Sequence, residues 1–414
     1  MSSRLSIATF IWLALLWTPA SAQETTPLAL TLRAAVAEAR AHHPELALLR
    51  QEYDAARAAP AGERYLAPPM LESQIWGWPV TTANPWRTEM YMLTAEQELP
   101  GRGKRDARVR VAEREADMSE RRIAVRANAI LADLQEAYID LLFTRETFAL
   151  YARQAVVLED VAEAATRRYA AGEGIQHHSV AAVVELAALE RERLAADERA
   201  QAAEARVNTL LGRPVAQRVE ALAPIVPLVP PAEAEQLAMA RFPEFAMAEA
   251  AVLREEAELD RLRGERRPDF VVGGGYMLTP GEAGAWTARA GLTWPNAPWS
   301  RGRLTVAIDA QSRRLAAAKA RHAVIASEVR QVVRSSVIRL TAAERQMRLI
   351  ETTVLPQVEH TFELARLAYA SGGGEFSDML DAQRMLLRTS IDYVETRAGL
   401  ARARAALDRV AGAL

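Results

Sequence analysis

Side chains that commonly carry out catalysis or bind metals are scarce in this sequence. Its 414 residues include six histidines and no cysteine, which excludes disulfides, thiolate ligands and thiol nucleophiles. Four of the histidines form two adjacent pairs, His42-His43 and His177-His178. A pair without a third ligand is a weak metal-binding pattern. We therefore expect solvated histidines at turns or helix ends, with no metal site and no cofactor.

Other residues with chemical potential also have structural explanations. No Ser-His-Asp order and no phosphate-binding loop is recognisable, and Gly273-Gly274-Gly275 falls inside a predicted strand, where glycine permits close backbone approach. Met70, Met90 and Met92 lie on or beside strands; their thioethers suit soft metals, but apolar packing is the usual role of methionine. The sequence predicts no catalytic residue and no enzyme. A net charge of −2 argues against nucleic-acid binding.

The N-terminus has the pattern of a secretory signal peptide. Arg4 precedes an apolar run from Ile7 to Trp17, and Pro19-Ala20-Ser21-Ala22 is a small-residue cleavage site. We expect cleavage after residue 22, with an uncleaved signal anchor as the alternative. Beyond residue 22 there is no stretch of about 18 apolar residues, so a membrane crossing would have to use strands.

Two long helical segments must position whatever the protein binds. Lys104 to Ala171 contains neither glycine nor proline over 68 residues, enough for a helix of about 100 Å. Its predicted partner-helix seam consists of Ile130, Leu134, Ala137, Leu141 and Phe148. A stop at Tyr169-Ala-Ala-Gly172-Glu-Gly174 precedes a return helix, Ser179 to Leu211. The pattern predicts a long antiparallel helical hairpin; a solvated coiled coil in a scaffold protein would look the same.

An internal two-fold sequence repeat sets the domain organisation. Pro44-Glu45 recurs as Pro243-Glu244, Arg102-Gly103-Lys104 as Arg301-Gly302-Arg303, and Tyr169-Ala-Ala-Gly172 as Tyr369-Ala-Ser-Gly372. The predicted domains are a signal peptide (1–22), a first repeat (23–213, strand pair about 71–99, hairpin 101–212), a linker (214–231) and a second repeat (232–414, strand pair about 270–294, hairpin 300–413).

Each repeat is predicted to begin with two shorter helices. These cover Leu32 to Ala41, with Thr31 as N-cap, and Glu45 to Tyr65; in the second repeat they cover Ala232 to Arg241 and Glu244 to Arg266. Pro60 and Gly62 predict a bend, and Pro356 predicts an interruption of the second long helix.

After these helices the spacing of the apolar residues changes from the helical period of 3.6 residues to the strand period of 2. The predicted strands are Leu71 to Trp78, Thr88 to Leu99, Phe270 to Leu278 and Trp286 to Trp294. In the last strand Trp286, Leu292 and Trp294 share an apolar face and Arg289 lies on the other. This pattern is typical of a transmembrane β-barrel, although a strand pair packed on its own helices is the alternative. Four strands cannot close a barrel, so three chains would supply about twelve.

The motifs resemble the TolC-like family of outer-membrane efflux channels over essentially the full mature length. The duplicated Pro-Glu, the segment Leu99-Pro100-Gly101-Arg102-Gly103-Lys104-Arg105 and the two Tyr-x-x-Gly tips carry the match in this order. The resemblance implies a mainly α fold with a small transmembrane β part. Long helical hairpins would form a periplasmic tube, and a homotrimer would build a 12-stranded β-barrel in outer-membrane lipid.

The same resemblance implies function and sites. The protein would be a passive exit duct of a Gram-negative bacterium, joined to an inner-membrane RND-type pump by a periplasmic adaptor protein. The predicted adaptor-contacting residues are Tyr169, Gly172, Gly174, Tyr369, Gly372 and Gly374. The predicted gate residues at the periplasmic entrance are Asp378, Asp381 and His178, where His178 stands at a position at which an acid is common. Acids in a first helical turn also stabilise the N-terminus, so a capping role is the alternative for both aspartates.

Cargo is predicted from residues 99–105 alone, which resemble the branch of the family serving cobalt-zinc-cadmium and copper-silver efflux pumps. A multidrug or type I secretion duct is the alternative within the family. The alternative from another class is a soluble periplasmic coiled-coil adaptor or scaffold.

Overall fold

The computed structural model describes residues 28–82, 84–172, 174–221, 230 and 233–412. The predicted signal peptide lies outside these residues, as does half of the predicted linker, 214–231. In the first half the elements are β1 (Leu28–Leu30), α1 (Leu32–His42), α2 (Pro44–Glu63), β2 (Met70–Trp76), β3 (Met90–Leu99), α3 (Lys104–Ala170), α4 (Gln176–Leu211) and β4 (Val219–Ala221).

Within the ranges that the structure describes, the second half repeats this order without the two short strands. Its elements are α5 (Ala234–Arg241), α6 (Pro243–Gly264), β5 (Phe270–Leu278), β6 (Ala285–Leu292), α7 (Arg301–Leu349), a π-helical turn (Ile350–Val354), α8 (Leu355–Ala370) and α9 (Phe376–Val410). The mainly α class with four longer strands, predicted from the sequence, is confirmed.

Helix α3 packs against helices from both halves of the chain. Helices α2, α4, α6 and α9 all contact it. Four residues of its predicted seam, Ile130, Leu134, Ala137 and Leu141, are buried as expected, whereas Phe148 is only partly buried. Thr31 caps α1 as predicted, its Oγ1 accepting a hydrogen bond from the Ala34 amide at 3.2 Å.

The two prolines predicted to disturb helices differ in their effects. Helix α2 continues through Pro60 to Glu63, so the helix persists to the end of the segment. Ahead of Pro356 the chain adopts the π-helical turn Ile350–Val354. Proline has no N–H and its ring crowds the carbonyl four residues earlier. The wider π turn accommodates that carbonyl, so the interruption falls just before Pro356.

In each half of the chain, the end of the last helix packs against the end of the first helix. A Cβ on Gly212, after α4, would lie 3.2 Å from the His42 carbonyl oxygen at the end of α1. A Cβ on Gly412, after α9, would lie 2.8 Å from the Arg241 carbonyl oxygen at the end of α5. Both glycines have positive φ, 72° and 64°. The return helix of each half therefore ends against the junction of that half's first two helices.

A short parallel pair, β1 with β4, was not predicted. Leu30 pairs with Ala221 and Leu28 with Val219, and the Tyr138 hydroxyl of α3 donates to the Leu30 carbonyl at 3.2 Å. This pair fastens the beginning of the described chain to the segment that follows α4.

The four longer strands form one antiparallel sheet of order β2-β3-β5-β6. The register places Leu93 opposite Tyr276 and Tyr276 opposite Trp286. Because side chains alternate, the residues divide between two faces. The apolar face carries Leu71, Ser73, Ile75, Tyr91, Leu93, Ala95, Gln97, Leu99, Phe270, Val272, Gly274, Tyr276, Leu278, Trp286, Ala288, Ala290 and Leu292. The polar face carries Met70, Glu72, Gln74, Trp76, Met90, Met92, Thr94, Glu96, Glu98, Val271, Gly273, Gly275, Met277, Ala285, Thr287, Arg289 and Gly291.

The predicted division of the last strand between Trp286 and Arg289 is thus confirmed, but β6 ends at Leu292 rather than Trp294. Pairing ends with the hydrogen bond from the Thr293 amide to the Asp269 carbonyl at 2.8 Å. Pro295 has no N–H with which to extend the ladder. Trp294 lies beyond the strand and contacts Trp299 edge-on, with ring centroids 5.8 Å apart.

Candidate functional site at the hairpin tips and the sheet

The two helical hairpins end in tips of matching design. Gly172 and Gly372 have φ values of 75° and 81°, in the left-handed region that favours glycine. A Cβ would meet no atom within 4 Å at either position, so backbone conformation alone explains these two glycines. At Gly374 the reason is space, because a Cβ would lie 2.9 Å from the Ala368 Cβ. The predicted turn role of the tip glycines follows from this geometry.

The tips also contact each other. Arg168, near the end of α3, donates from Nη1 to the Tyr369 carbonyl at 2.8 Å, and its guanidinium carbon lies 4.8 Å from the centre of the Tyr369 ring. Tyr369 is 5% exposed, whereas Tyr169, its counterpart in the repeat, is 46% exposed. The two tyrosines thus occupy different environments: Tyr369 holds the tips together and Tyr169 faces outward.

His178 packs into this contact through its ring. It stacks on Phe376 with centroids 4.6 Å apart and planes 15° apart, and meets Tyr369 edge-on at 6.5 Å. Burial lowers the pKa of His178, and the positive charge of Arg168 lowers it further, while Glu375 acts in the opposite direction. The neutral imidazole is therefore the form that this aromatic setting favours.

The two predicted gate aspartates lie in the first turns of α9, on the exposed side of the helix. Asp378 is exposed and makes no salt bridge within the ranges that the structure describes. The Asp381 side chain is 71% exposed and pairs with Arg384 at 3.1 Å. Arg384 also pairs with Glu185 of α4. The structure therefore places His178 against the aromatic contact and leaves both aspartates on the surface of the same tip.

A shared apolar cluster makes the tips one packed unit. It combines Leu158 and Ala165 of α3, Ala182 and Leu189 of α4, and Phe376, Met379 and Leu380 of α9. Sequence reasoning treated the tips as separate turns and missed Arg168, Phe376 and Glu185. The apolar Phe376, two residues after three consecutive glycines, was the available signal.

The strand-to-helix exit at residues 99–105 is organised around the buried, positively charged side chain of Lys104. The Lys104 side chain is 2% exposed, and its Nζ lies 2.7 Å from Asp269 Oδ2 and 2.9 Å from Glu265 Oε2. The Gly101 amide donates to Asp269 Oδ1 at 2.7 Å. Burial alone would raise the pKa of Asp269, but the hydrogen bonds from Lys104 and Gly101 outweigh it and hold that pKa below its usual range.

The glycines of the same segment permit this arrangement. A Cβ on Gly101 would collide with the Pro268 carbonyl oxygen, and Gly103 has φ 78°. The segment 99–105 therefore connects β3 to α3 and packs against the start of β5. Glu265 and Asp269, which complete it, were missed by sequence reasoning because they lie in the other repeat.

On the polar face of the sheet, Glu96 and Arg289 form an ion pair at 2.6 Å across strand β5. The residue between them in the register is Gly273, whose Cβ would lie 2.9 Å from Glu96 Cγ. The predicted role of the glycine run, close approach in a strand, accounts for this contact.

The histidine pairs hold no metal cluster in the described ranges, where no group of three His, Asp or Glu side chains is placed to bind an ion. His43 instead caps α2, with Nδ1 accepting from the Glu45 amide at 3.3 Å. None of the helices in the described part of the chain is both long and apolar enough to cross a membrane.

Comparison with known families finds a similarity over the second half of the chain. Residues 235–413 match the family model described as outer membrane efflux protein. The predicted resemblance to TolC-like outer-membrane efflux proteins is confirmed.

Individual relatives make the comparison more specific. The chain is 28% identical over 390 residues to the cobalt-zinc-cadmium resistance protein CzcC of Cupriavidus metallidurans, covering 92% of this chain and 90% of that protein. Its fold is similar to that of the outer-membrane channel OprN, with a TM-score of 0.77, 18% identity and coverage of 92% and 89%. It is also similar to CusC, whose structures concern transmembrane channel formation, with a TM-score of 0.76, 15% identity and coverage of 93% and 92%. At such identities the two structures establish the fold.

Proposed function

We propose that the protein is the outer-membrane exit duct of a tripartite efflux system. In this role it works as a homotrimer and conducts substrates passively, without catalysis, from an inner-membrane pump and a periplasmic adaptor to the exterior. The observation that carries the proposal is the four-stranded sheet with one apolar and one polar face, mounted on helical hairpins far longer than a compact domain requires.

The apolar face of the sheet is open to its surroundings. Trp286 is 83% exposed and Leu292 is 65% exposed, and Leu71 and Leu93 are exposed as well. Contiguous apolar surface of this kind is typical of a binding or membrane-facing surface. Strands of 7 to 10 residues in this sheet approach the length of membrane-spanning strands. We assign this face to outer-membrane lipid, and this use of the face distinguishes the duct from a soluble periplasmic scaffold.

The edges of the sheet require further copies of the chain. In the described residues β2 pairs only with β3 and β6 only with β5. Open edges are not tolerated in the hydrocarbon layer. Three chains would close twelve strands into a barrel, with the polar face inside and the helices α3, α4 and α7 to α9 continuing into the periplasm as a tube.

The tips are the proposed periplasmic end. In the trimer Asp378 and Asp381 of three chains would give six carboxylates near one axis, which would attract cations. Their exposure on α9 supports this placement. Tyr169, the outward tyrosine, and the tip glycines Gly172, Gly174, Gly372 and Gly374 are the proposed adaptor contacts.

Heavy-metal cations are the proposed cargo, because CzcC is described as a cobalt-zinc-cadmium resistance protein and the alignment to it covers nearly the whole chain. The test is deletion of the gene, followed by growth on metal ions and, separately, on dyes, detergents and antibiotics. Sensitivity confined to metals supports the proposal. Sensitivity confined to amphiphilic drugs would replace it with a multidrug duct, and loss of a secreted protein from the medium would replace it with a type I secretion duct.

A further inference from the structure

Three methionines come together on the polar face of the sheet. Met92 of β3 lies directly opposite Met277 of β5, and Met90 lies two residues before Met92 on the same face. Residues directly opposite in an antiparallel pair have Cα atoms about 4.5 to 5.5 Å apart. Diagonal neighbours are about 7 to 8 Å apart and remain within reach of long side chains. The three thioethers therefore share one small area.

Their location is unusual for apolar packing. Lipid-facing methionines would belong on the apolar face, beside Tyr91, Leu93 and Leu278. The three instead share a face with Gln74, Glu96 and Arg289, and with Trp76 opposite Met90. Each of the three is partly exposed, so an ion in solution can reach it.

We propose that Met90, Met92 and Met277 form a binding site for a soft monovalent cation of the Cu(I) or Ag(I) class. Thioether sulfur is a soft, neutral ligand that selects Cu(I), whereas divalent ions such as Zn²⁺ prefer nitrogen and charged ligands. A thioether carries no negative charge, so it does not hold a cation permanently. Conduction requires binding that is favourable enough for an ion to enter the site and weak enough for it to leave.

The site deepens the proposed function, and it rests on that function for one point, namely that the polar face lines the conduit. In that arrangement the site lies away from the helices, because β3 runs from Met90 toward α3. An ion would meet it near the outlet, after the polar surface around Glu96.

The same face supplies a matched control. Met70 of β2 lies on the polar face but pairs with Glu96, four residues along β3 from Met92. Methionine and leucine have similar volumes, so Met→Leu changes remove the sulfur with little loss of packing. Met70→Leu therefore removes one polar-face thioether without touching the proposed site.

The test is isothermal titration of full-length protein in detergent with silver nitrate in chloride-free buffer, with Zn²⁺ titrated separately. We expect wild type and Met70→Leu to bind Ag⁺ with the same affinity, and the triple variant Met90→Leu/Met92→Leu/Met277→Leu to lose that binding. Zn²⁺ should show no dependence on these methionines. If wild type binds no Ag⁺, or the triple variant binds it unchanged, the inference is wrong.

Two further measurements keep the outcome interpretable. If the triple variant does not fold, the single variants Met92→Leu and Met277→Leu should each weaken Ag⁺ binding, and unchanged affinity in both would overturn the site. Conductance in planar bilayers tests the proposed function separately. A wild-type protein that binds Ag⁺ but forms no pore would refute the duct and leave the site standing, whereas a conducting protein without methionine-dependent binding would refute the site alone.

Discussion

Arg168 and Tyr369 join the two helical hairpins although they lie 201 residues apart, with Arg168 Nη1 donating to the Tyr369 carbonyl at 2.8 Å. The contact closes the apolar cluster beneath both tips and brings Tyr369 beside His178. An opening of the proposed entrance that separates the hairpins at this point would have to break this contact.

Replacement of this arginine should loosen the second tip. We expect Arg168→Ala to remove a hydrogen bond from a charged donor, worth about 1.5 kcal/mol, or roughly tenfold in local opening. Hydrogen–deuterium exchange of the segment 369–376 measures it. Arg167→Ala is the matched control, because Arg167 is exposed and its salt bridge is with Glu163 of its own helix. Equal exchange in both variants would show that the contact does not hold the tips together.

Acid should loosen the same tip through His178. Burial lowers its pKa from 6.5, so the unfolded or opened state binds the proton more readily than the packed state. The stabilisation is complete above about pH 6.5 and is lost as the pH falls from there through the lowered value.

The measurement is exchange of segment 369–376 between about pH 7.5 and pH 5.5, corrected for the intrinsic pH dependence of exchange. The charged and titratable neighbours of His178 are Arg168, His177, Glu375 and Tyr369. His178→Phe should keep the stack and abolish the pH response, and His177→Phe should retain it. A response that persists in His178→Phe would assign it to another group.

The buried cation at the strand-to-helix exit should be a major determinant of stability. We expect Lys104→Met to leave Asp269 without its partner and to destabilise the protein by about 3 kcal/mol. Thermal unfolding in detergent measures the loss, with Arg105→Met as the control on an exposed neighbouring residue. Asp269→Asn in the Lys104→Met background should recover part of it, and the absence of any recovery would show that unpaired charge is not the cause.

The exposed aspartates of α9 should govern ion selectivity at the proposed entrance. We expect Asp378→Asn with Asp381→Asn to weaken cation selectivity or raise conductance in planar bilayers, because the negative charge near the axis is removed. Asp378→Asn alone should give a smaller change. Unchanged current and selectivity in the double variant would leave both residues as helix-stabilising acids.

Elements with strong local signals could be predicted from the sequence. The absence of glycine and proline between Lys104 and Ala171 predicts α3 to within one residue of its observed end. The alternation from Trp286 to Leu292 predicts both the strand and its two faces. The short strands Leu28–Leu30 and Val219–Ala221 could not be predicted, because three residues carry no period and the strands pair with each other across about 190 residues of sequence.

The candidate sites depend on contacts between the repeats, which leave little trace in a single sequence. Lys104 meets Asp269 because the register sets Leu99 opposite Phe270. Met277 joins Met92 for the same reason, so a prediction that noted Met70, Met90 and Met92 could not separate Met70 from the other two. Likewise the sequence predicts His178 beside the two gate aspartates. In the structure its ring instead stacks on Phe376 of α9.

The mass of the protein extracted from outer membranes in detergent, determined by native mass spectrometry, tests the central proposal most directly. A homotrimeric duct predicts that the protein requires detergent for extraction and has the mass of three chains. A monomer recovered in the soluble periplasmic fraction would contradict the proposal, because an unpaired four-stranded sheet could not then form a conduit through the outer membrane.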